Sequence, residues 1–215
     1  MFFPYKDDNP RILIPYVTYI ILGLNTLVFL YQFGLGISDG YAERKFIYTF
    51  GLIPAQFSIL NIFTSMFAHG GLAHFAGNMW FLWIFGDNVE SSLGHYRYIL
   101  FYLTCGVVAA LCQVSLDAQS QIPMVGASGA IAGVLGAYMM MYPKAQVHVF
   151  ILFIIITTIR VPAQIVLGVW FVMQLSNGLA TLGIDTTGGI AWFAHIGGFI
   201  AGVGGQKLFK TFRFV

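Results

Sequence analysis

Apolar residues fall along this chain in blocks too long for a strand or an ordinary core helix. The first covers 12–33 and stops at a polar stretch carrying Asp39, Glu43, Arg44 and Lys45. Later blocks cover 72–89, 95–116, 128–142, 163–180 and 191–208. At about 1.5 Å of rise per residue, helices of this length suit a hydrocarbon core of about 30 Å. The pattern predicts an all-α membrane protein, a single domain over 1–215 built as a bundle of six transmembrane helices. Between the first two spans, residues 46–67 mix aromatics with Gly51, Pro54 and Asn61. Their broken apolar pattern predicts a long first loop lying in the membrane interface, large enough to be a substructure.

One segment does not fit the count. Residues 147–159 are strongly apolar, but only about a dozen residues separate Lys144 from Arg160, too few to cross. The expectation is an interfacial or re-entrant segment. Positive charge supports six spans over seven. With the N-terminus inside, Lys6, Arg11, Arg97, Lys144, Arg160, Lys207, Lys210 and Arg213 share one side, and only Arg44 and Lys45 face the other. That asymmetry obeys the positive-inside rule and predicts cytoplasmic N- and C-termini.

Composition agrees with the pattern: 58% of residues are hydrophobic and 8% are charged, which excludes a soluble globular chain and makes the lipid bilayer the solvent. Cys105 and Cys112 lie in one apolar block at a spacing too long to bridge along a helix, so both are expected reduced. The first eleven residues carry Pro4, Lys6, Asp7, Asp8 and Pro10, and no removable signal peptide is expected.

The candidate chemistry sits in one layer. The second, fourth and sixth spans all run inward, so their first residues share a depth near the outer face. Those residues include His74 and Asn78, Ser128, and His195. Polar groups inside a membrane are costly and mark candidate functional sites. Ser128, in Gly126-Ala127-Ser128-Gly129-Ala130, reads locally as a helix cap or as a nucleophile. It is not the Gly-x-Ser-x-Gly elbow, because Ala130 stands in the last position. Gly198 and Gly202 after His195, and Gly129, Gly133 and Gly136 after Ser128, form small-residue faces that let two helices approach closely. Close approach would bring Ser128 and His195 within hydrogen-bonding reach, with plain helix packing as the alternative account of the glycines.

His74 and Asn78 lie four apart on one helix face. No carboxylate accompanies the histidines in a zinc pattern, and neither metal nor cofactor is expected. Neutral donors at that depth suit an oxygen that becomes negative. The reading is acyl transfer: Ser128 attacks, His195 is the base, and Asn78, His74 and the free N–H groups of the helix starting at Ser128 hold the oxyanion. No Asp or Glu lies near these helix ends, so a dyad is expected, with the imidazole oriented by packing between helices. His69 reads as a structural loop residue, and His95 and His148 as inner-face residues without a catalytic role.

Three separated motifs carry a resemblance: Gly-Ala-Ser-Gly around Ser128, Ala-His-x-x-Gly-x-x-x-Gly around His195, and His-x4-His-x3-Asn over His69, His74 and Asn78. Together, over about 51–205, they resemble the rhomboid intramembrane serine proteases. The resemblance implies a six-helix rhomboid-like core and a Ser128–His195 dyad with Asn78 and His74 at the oxyanion. It also implies cleavage of single-pass transmembrane proteins near their outer end, beside small residues, with no nucleic-acid partner. Glu90 and Arg97 match structural positions. Many relatives carry an aromatic four residues after the nucleophile, where this chain has Ala132, and the first loop lacks their Trp-Arg pair. Phe46, Tyr48, Phe50 and Phe57 are expected to anchor that loop instead. The helix from Ser128 to Pro143 rises only about 22 Å, so the serine is expected below the surface, in a cavity open to water but closed to lipid. The fifth span near Trp170 and Phe171, with the loop 181–190 and its Gly188 and Gly189, is the expected gate. The expected location is a cell (inner or plasma) membrane, with an organelle membrane as the alternative. Two non-enzymatic readings stay open: a small transporter using the same polar layer, and a client-binding pseudoprotease.

Overall fold

The computed structural model describes residues 2–152, 156–181 and 190–211. Helices occupy all six apolar blocks: α1 (Tyr16–Ser38), α4 (Leu72–Leu93), α5 (His95–Leu116), α6 (Ser128–Met141), α7 (Ala163–Thr181) and α8 (Trp192–Thr211). Among the described residues, α1, α5 and α7 are long and apolar enough to cross a membrane by length and composition, and α6 is a shorter apolar helix. The bundle is centred on α6, whose Ala130 to Tyr138 are all buried. Its most extensive contact is with α8, followed among helix pairs by α5 on α8. Gly94, at φ +78°, makes the turn from α4 into α5, a left-handed position where glycine carries no Cβ penalty.

The predicted first loop is more ordered than its broken hydropathy suggested. It contains α2 (Gly40–Phe50), a 3-10 turn (Pro54–Gln56) and α3 (Ile59–Thr64). Asp39 caps α2 by accepting from the Tyr41 N–H at 2.9 Å. Asn61 donates to the Gly51 carbonyl at 2.7 Å, and Thr64 donates to that of Phe50 at 2.7 Å, closing α3 back on the end of α2. Tyr48, Phe50 and Phe57 are exposed, while Phe46 packs on Phe50 with ring centroids 4.7 Å apart. Local polar contacts between neighbouring turns, invisible to a hydropathy average, build this substructure.

Within 147–159 the described residues are strands, which the apolar run did not announce: β2 (Gln146–Leu152) pairs with β3 (Ile156–Pro162), with β1 (Phe2–Asp7) on the other side of β2 in an antiparallel order β1-β2-β3. The helical bundle thus carries a small antiparallel sheet at the end remote from Ser128. The physical cause is in the residues: Val147 and Val149 are buried while His148 and Phe150, each following one of them, are not, a period of two, and the two strands are rich in β-branched side chains.

Carboxylates tie the N-terminal region to this end of the bundle. Glu90, fully buried on α4, accepts from the Val17 N–H at 2.9 Å and from the Thr18 N–H at 2.8 Å. It also accepts from the Thr18 hydroxyl at 2.7 Å and lies 2.6 Å from His95 Nδ1. A carboxylate there satisfies orphan donors at the start of α1 and complements its dipole. His148 lies 2.7 Å from Asp8 across the sheet. Asp7 on β1 accepts from the Tyr138 hydroxyl at the end of α6 and from Asn88 Nδ2 at 3.0 Å.

Burial pushes the Asp7 carboxyl up to about 6, against the opposing effect of the Tyr138 hydrogen bond and with a further push from the Asp87 charge. The folded state therefore holds this proton more tightly than the unfolded chain. The stabilisation from Asp7 is full at low pH and falls as pH rises from about 4 to about 6. Asp7→Asn, which carries the neutral form at every pH, is expected to melt above the wild type at pH 7, with the difference closing toward pH 4. A difference in Tm that does not change with pH would contradict this account.

Candidate functional site

Ser128 is the first residue of α6, delivered by a turn that three strands of contact hold in place. Leu52 and Met124 exchange backbone hydrogen bonds of 3.0 and 2.8 Å, joining the first loop to this turn, and the Gly126 N–H donates to the Ser65 carbonyl at 2.8 Å. Gly126 has φ +116°, and a Cβ there would lie 2.7 Å from His74 Nε2 and 3.2 Å from Asn78 Nδ2. Only glycine lets the turn lie against these two side chains.

The Ser128 side chain caps nothing in α6, so the cap reading of the sequence does not hold. Its Oγ lies 2.7 Å from Nε2 of His195 on α8. The approach depends on backbone contact between the two helices. A methyl on Gly198 would overlap the Gly129 carbonyl oxygen, and one on Gly202 would overlap that of Gly133. Gly136 meets the backbone of Phe199 in the same way.

Further donors line the same cavity as the hydroxyl. In α6, Ile131 is the first residue whose N–H bonds back, to the Ala127 carbonyl at 3.0 Å, so those of Ser128, Gly129 and Ala130 precede the ladder. Asn78 is buried, and its Nδ2 makes no hydrogen bond within the described residues. The Gly70 N–H points to His74 Nδ1 at 3.4 Å, which leaves Nε2 as the protonated nitrogen on the side facing Gly126. An unspent amide donor and an imidazole N–H thus stand beside the serine. All four predicted site residues line one open cavity of about 1190 Å³, which extends from Phe81 on α4 to Trp170 on α7 and reaches Pro54 in the first loop. Among the described residues, no group of three or more His, Cys, Asp or Glu side chains is arranged to hold a metal.

His69 is fully buried and stands apart from the serine. Its N–H donates to Gln32 Oε1 at 3.0 Å, while Gln32 Nε2 donates to its carbonyl, so α1 clamps the loop before α4. Gly188 and Gly189, expected to form a flexible cap, lie outside the described residues.

Two residues of this site, Gln174 and Gln113, carry no role in the sequence reading, and Trp170, expected there as part of the gate, also meets the histidine. Gln174 on α7 places Oε1 2.8 Å from His195 Nδ1. Trp170, one turn earlier, lies with its ring centroid 5.9 Å from the imidazole at an interplanar angle of 34°. Gln113 near the end of α5 accepts from the N–H groups of Phe193 and Ala194 at 3.1 and 3.3 Å, capping α8 just before the histidine. Both glutamines are polar residues inside apolar blocks, which was the available signal.

A serine hydroxyl bonded to an imidazole, beside unspent donors in a helical membrane bundle, is the constellation that acyl transfer needs. The family model of the Rhomboid domain matches residues 56–209, and the chain belongs to the rhomboid family. It is 33% identical over 192 residues to Rhomboid protease GluP of Bacillus subtilis, covering 87% of this chain and 34% of that protein. It is 26% identical over 208 residues to Rhomboid protein 1, mitochondrial, of Saccharomyces cerevisiae, covering 94% and 54%. It is 29% identical over 173 residues to Presenilin-associated rhomboid-like protein, mitochondrial, of Mus musculus, covering 75% and 41%. The chain thus spans about a third to a half of the length of these curated relatives. It is a membrane protein with transmembrane helices, and its family supports an intramembrane-protease type of function in general.

Proposed function

We propose that this chain is an intramembrane serine endopeptidase in which Ser128 and His195 form the catalytic dyad. The observation that carries the reading is the 2.7 Å contact between Ser128 Oγ and His195 Nε2, set beside the unspent Asn78 donor. In this mechanism the Ser128 O–H proton passes to His195 Nε2 as Oγ bonds to the scissile carbonyl carbon. The carbonyl oxygen becomes negative, and Asn78 Nδ2, His74 Nε2–H and the first N–H groups of α6 stabilise it. Collapse breaks the C–N bond, and the imidazolium gives its proton to the leaving amine. Water, activated by the same imidazole, then hydrolyses the acyl-enzyme.

The substrates in this reading are single-pass transmembrane proteins, cut near the outer face. The protease spans the membrane six times with both termini cytoplasmic, in a cell (inner or plasma) membrane. The eight-to-two split of cations supports that orientation. A fluorophosphonate probe tests the chemistry: it should label detergent-purified wild type and not Ser128→Ala. No labelling of folded wild type, together with no cleavage of any model substrate, would sink the proposal.

Entry is proposed between α4 and α7, which both line the cavity. Cross-linking α7 to α4 near its outer end is expected to stop cleavage of a transmembrane substrate while the small probe still labels Ser128. Unchanged cleavage after cross-linking would place the entry elsewhere.

A further inference from the structure

His195 must present a lone pair on Nε2 to act as a base, and a neutral imidazole has two tautomers. Which nitrogen carries the proton is set by the partner of the other one. Ser128 does not make that choice, because its hydroxyl either donates to or accepts from Nε2. Ala132 on α6 has no ring for the imidazole to stack on. The partners come from α7 instead. Gln174 and Trp170 lie four residues apart and therefore on one face of that helix, the face turned to His195.

Gln174 Oε1 can only accept. Facing Nδ1 at 2.8 Å, it requires the proton there and leaves the Nε2 lone pair for the Ser128 hydroxyl. The opposite amide orientation would set an N–H against Nδ1 and turn Nε2 into a donor, which disarms the base. Both side chains are nearly sealed, with Gln174 at 7% and His195 at 8% exposure, so water competes poorly for the contact. A carboxylate would hold the same tautomer, but a buried charge at membrane depth is costly. A glutamine gives direction without charge.

We propose that Gln174 is the positioning residue of His195, selecting the Nδ1–H tautomer, with Trp170 limiting the tilt of the ring. The proposal rests on the Ser128–His195 reading for its catalytic meaning, and its structural content is tested separately. In Ser128→Ala protein with 15N-labelled histidine, NMR is expected to show His195 protonated at Nδ1. Adding Gln174→Leu is expected to bring in a substantial Nε2–H population. For the enzyme, Gln174→Leu should lower kcat by about 10²-fold or more with KM within about twofold. Gln174→Glu keeps the acceptor and should recover most of kcat. Its negative charge favours the imidazolium, so the acid limb of the pH–rate profile should move up by about a unit. The proposal is overturned if wild-type His195 is the Nε2–H tautomer, or if Gln174→Leu leaves kcat and the acid limb unchanged. It is likewise overturned if Gln174→Glu behaves as Gln174→Leu. Should the leucine variant not fold, the wild-type tautomer and the glutamate variant still decide. Failure of wild type to label with fluorophosphonate would instead remove the protease reading, leaving the tautomer result intact.

Discussion

Ser128→Ala is expected to lower the cleavage rate of a transmembrane substrate by about 10⁴-fold or more, and His195→Ala to do nearly the same. The two losses should not multiply. Serine without its base is a weak nucleophile, and the base without serine has no proton to take, so either change removes the whole covalent route. The double variant is therefore expected to be no slower than the worse single one. Multiplying losses would mean that the two side chains act independently and would break the dyad. Stability should hardly register the change. The lost hydrogen bond is worth about 1 kcal/mol, and the freed imidazole nitrogen faces the open cavity. A variant that loses all cleavage while melting near the wild type separates a chemical role for Ser128 from a structural one. A Ser128→Ala protein that still cleaves at the wild-type rate would refute the mechanism.

Helix placement and the convergence of His74, Asn78, Ser128 and His195 on one cavity were legible because they follow from one-dimensional quantities. Block length gives a helix, alternating direction gives a shared depth, and glycines four apart give a close face. What stayed hidden depends on partners distant in sequence. The strand Phe2–Asp7 pairs with Gln146–Leu152, a contact that no local pattern announces. The period of two over 147–150 lies in burial rather than in hydropathy, because Phe150 is as apolar as the valines before it. Gln174 shows the same limit at the site. No acid lies near the histidine in the sequence pattern, which points to packing alone, whereas the structure supplies a neutral acceptor from α7, 21 residues before the histidine it meets. Hydropathy averages over 163–180 absorb three amides, Gln164, Gln174 and Asn177, yet Gln174 alone of them is buried, and a buried amide in a membrane bundle is the kind of polar group that needs a partner. The proposed entry helix thus also carries the contact to the base, so displacement of α7 would separate Gln174 from His195.

Gly202→Ala is expected to be the most destabilising small substitution in the bundle, costing about 3–5 kcal/mol or preventing folding. The added methyl would overlap the carbonyl oxygen, carbonyl carbon and Cα of Gly133. All three are backbone atoms, so no side chain can swing aside and α6 and α8 must part. In lipid, that contact is held by close packing rather than by a hydrophobic drive, and separation forfeits it. Gly204 on the same helix is the control, because a Cβ there meets nothing within 4 Å. Gly204→Ala should be neutral or stabilise by up to about 1 kcal/mol through helix propensity. Gly198→Ala, whose methyl would meet the Gly129 carbonyl one residue from Ser128, links packing to chemistry. Parting the helices there stretches the 2.7 Å contact of the dyad, and a displacement of about 1 Å can reduce the rate about 10²-fold. Thermal unfolding in detergent, read beside fluorophosphonate labelling, checks all three variants. Equal Tm for Gly202→Ala and Gly204→Ala would show that backbone contact between α6 and α8 does not hold the site together.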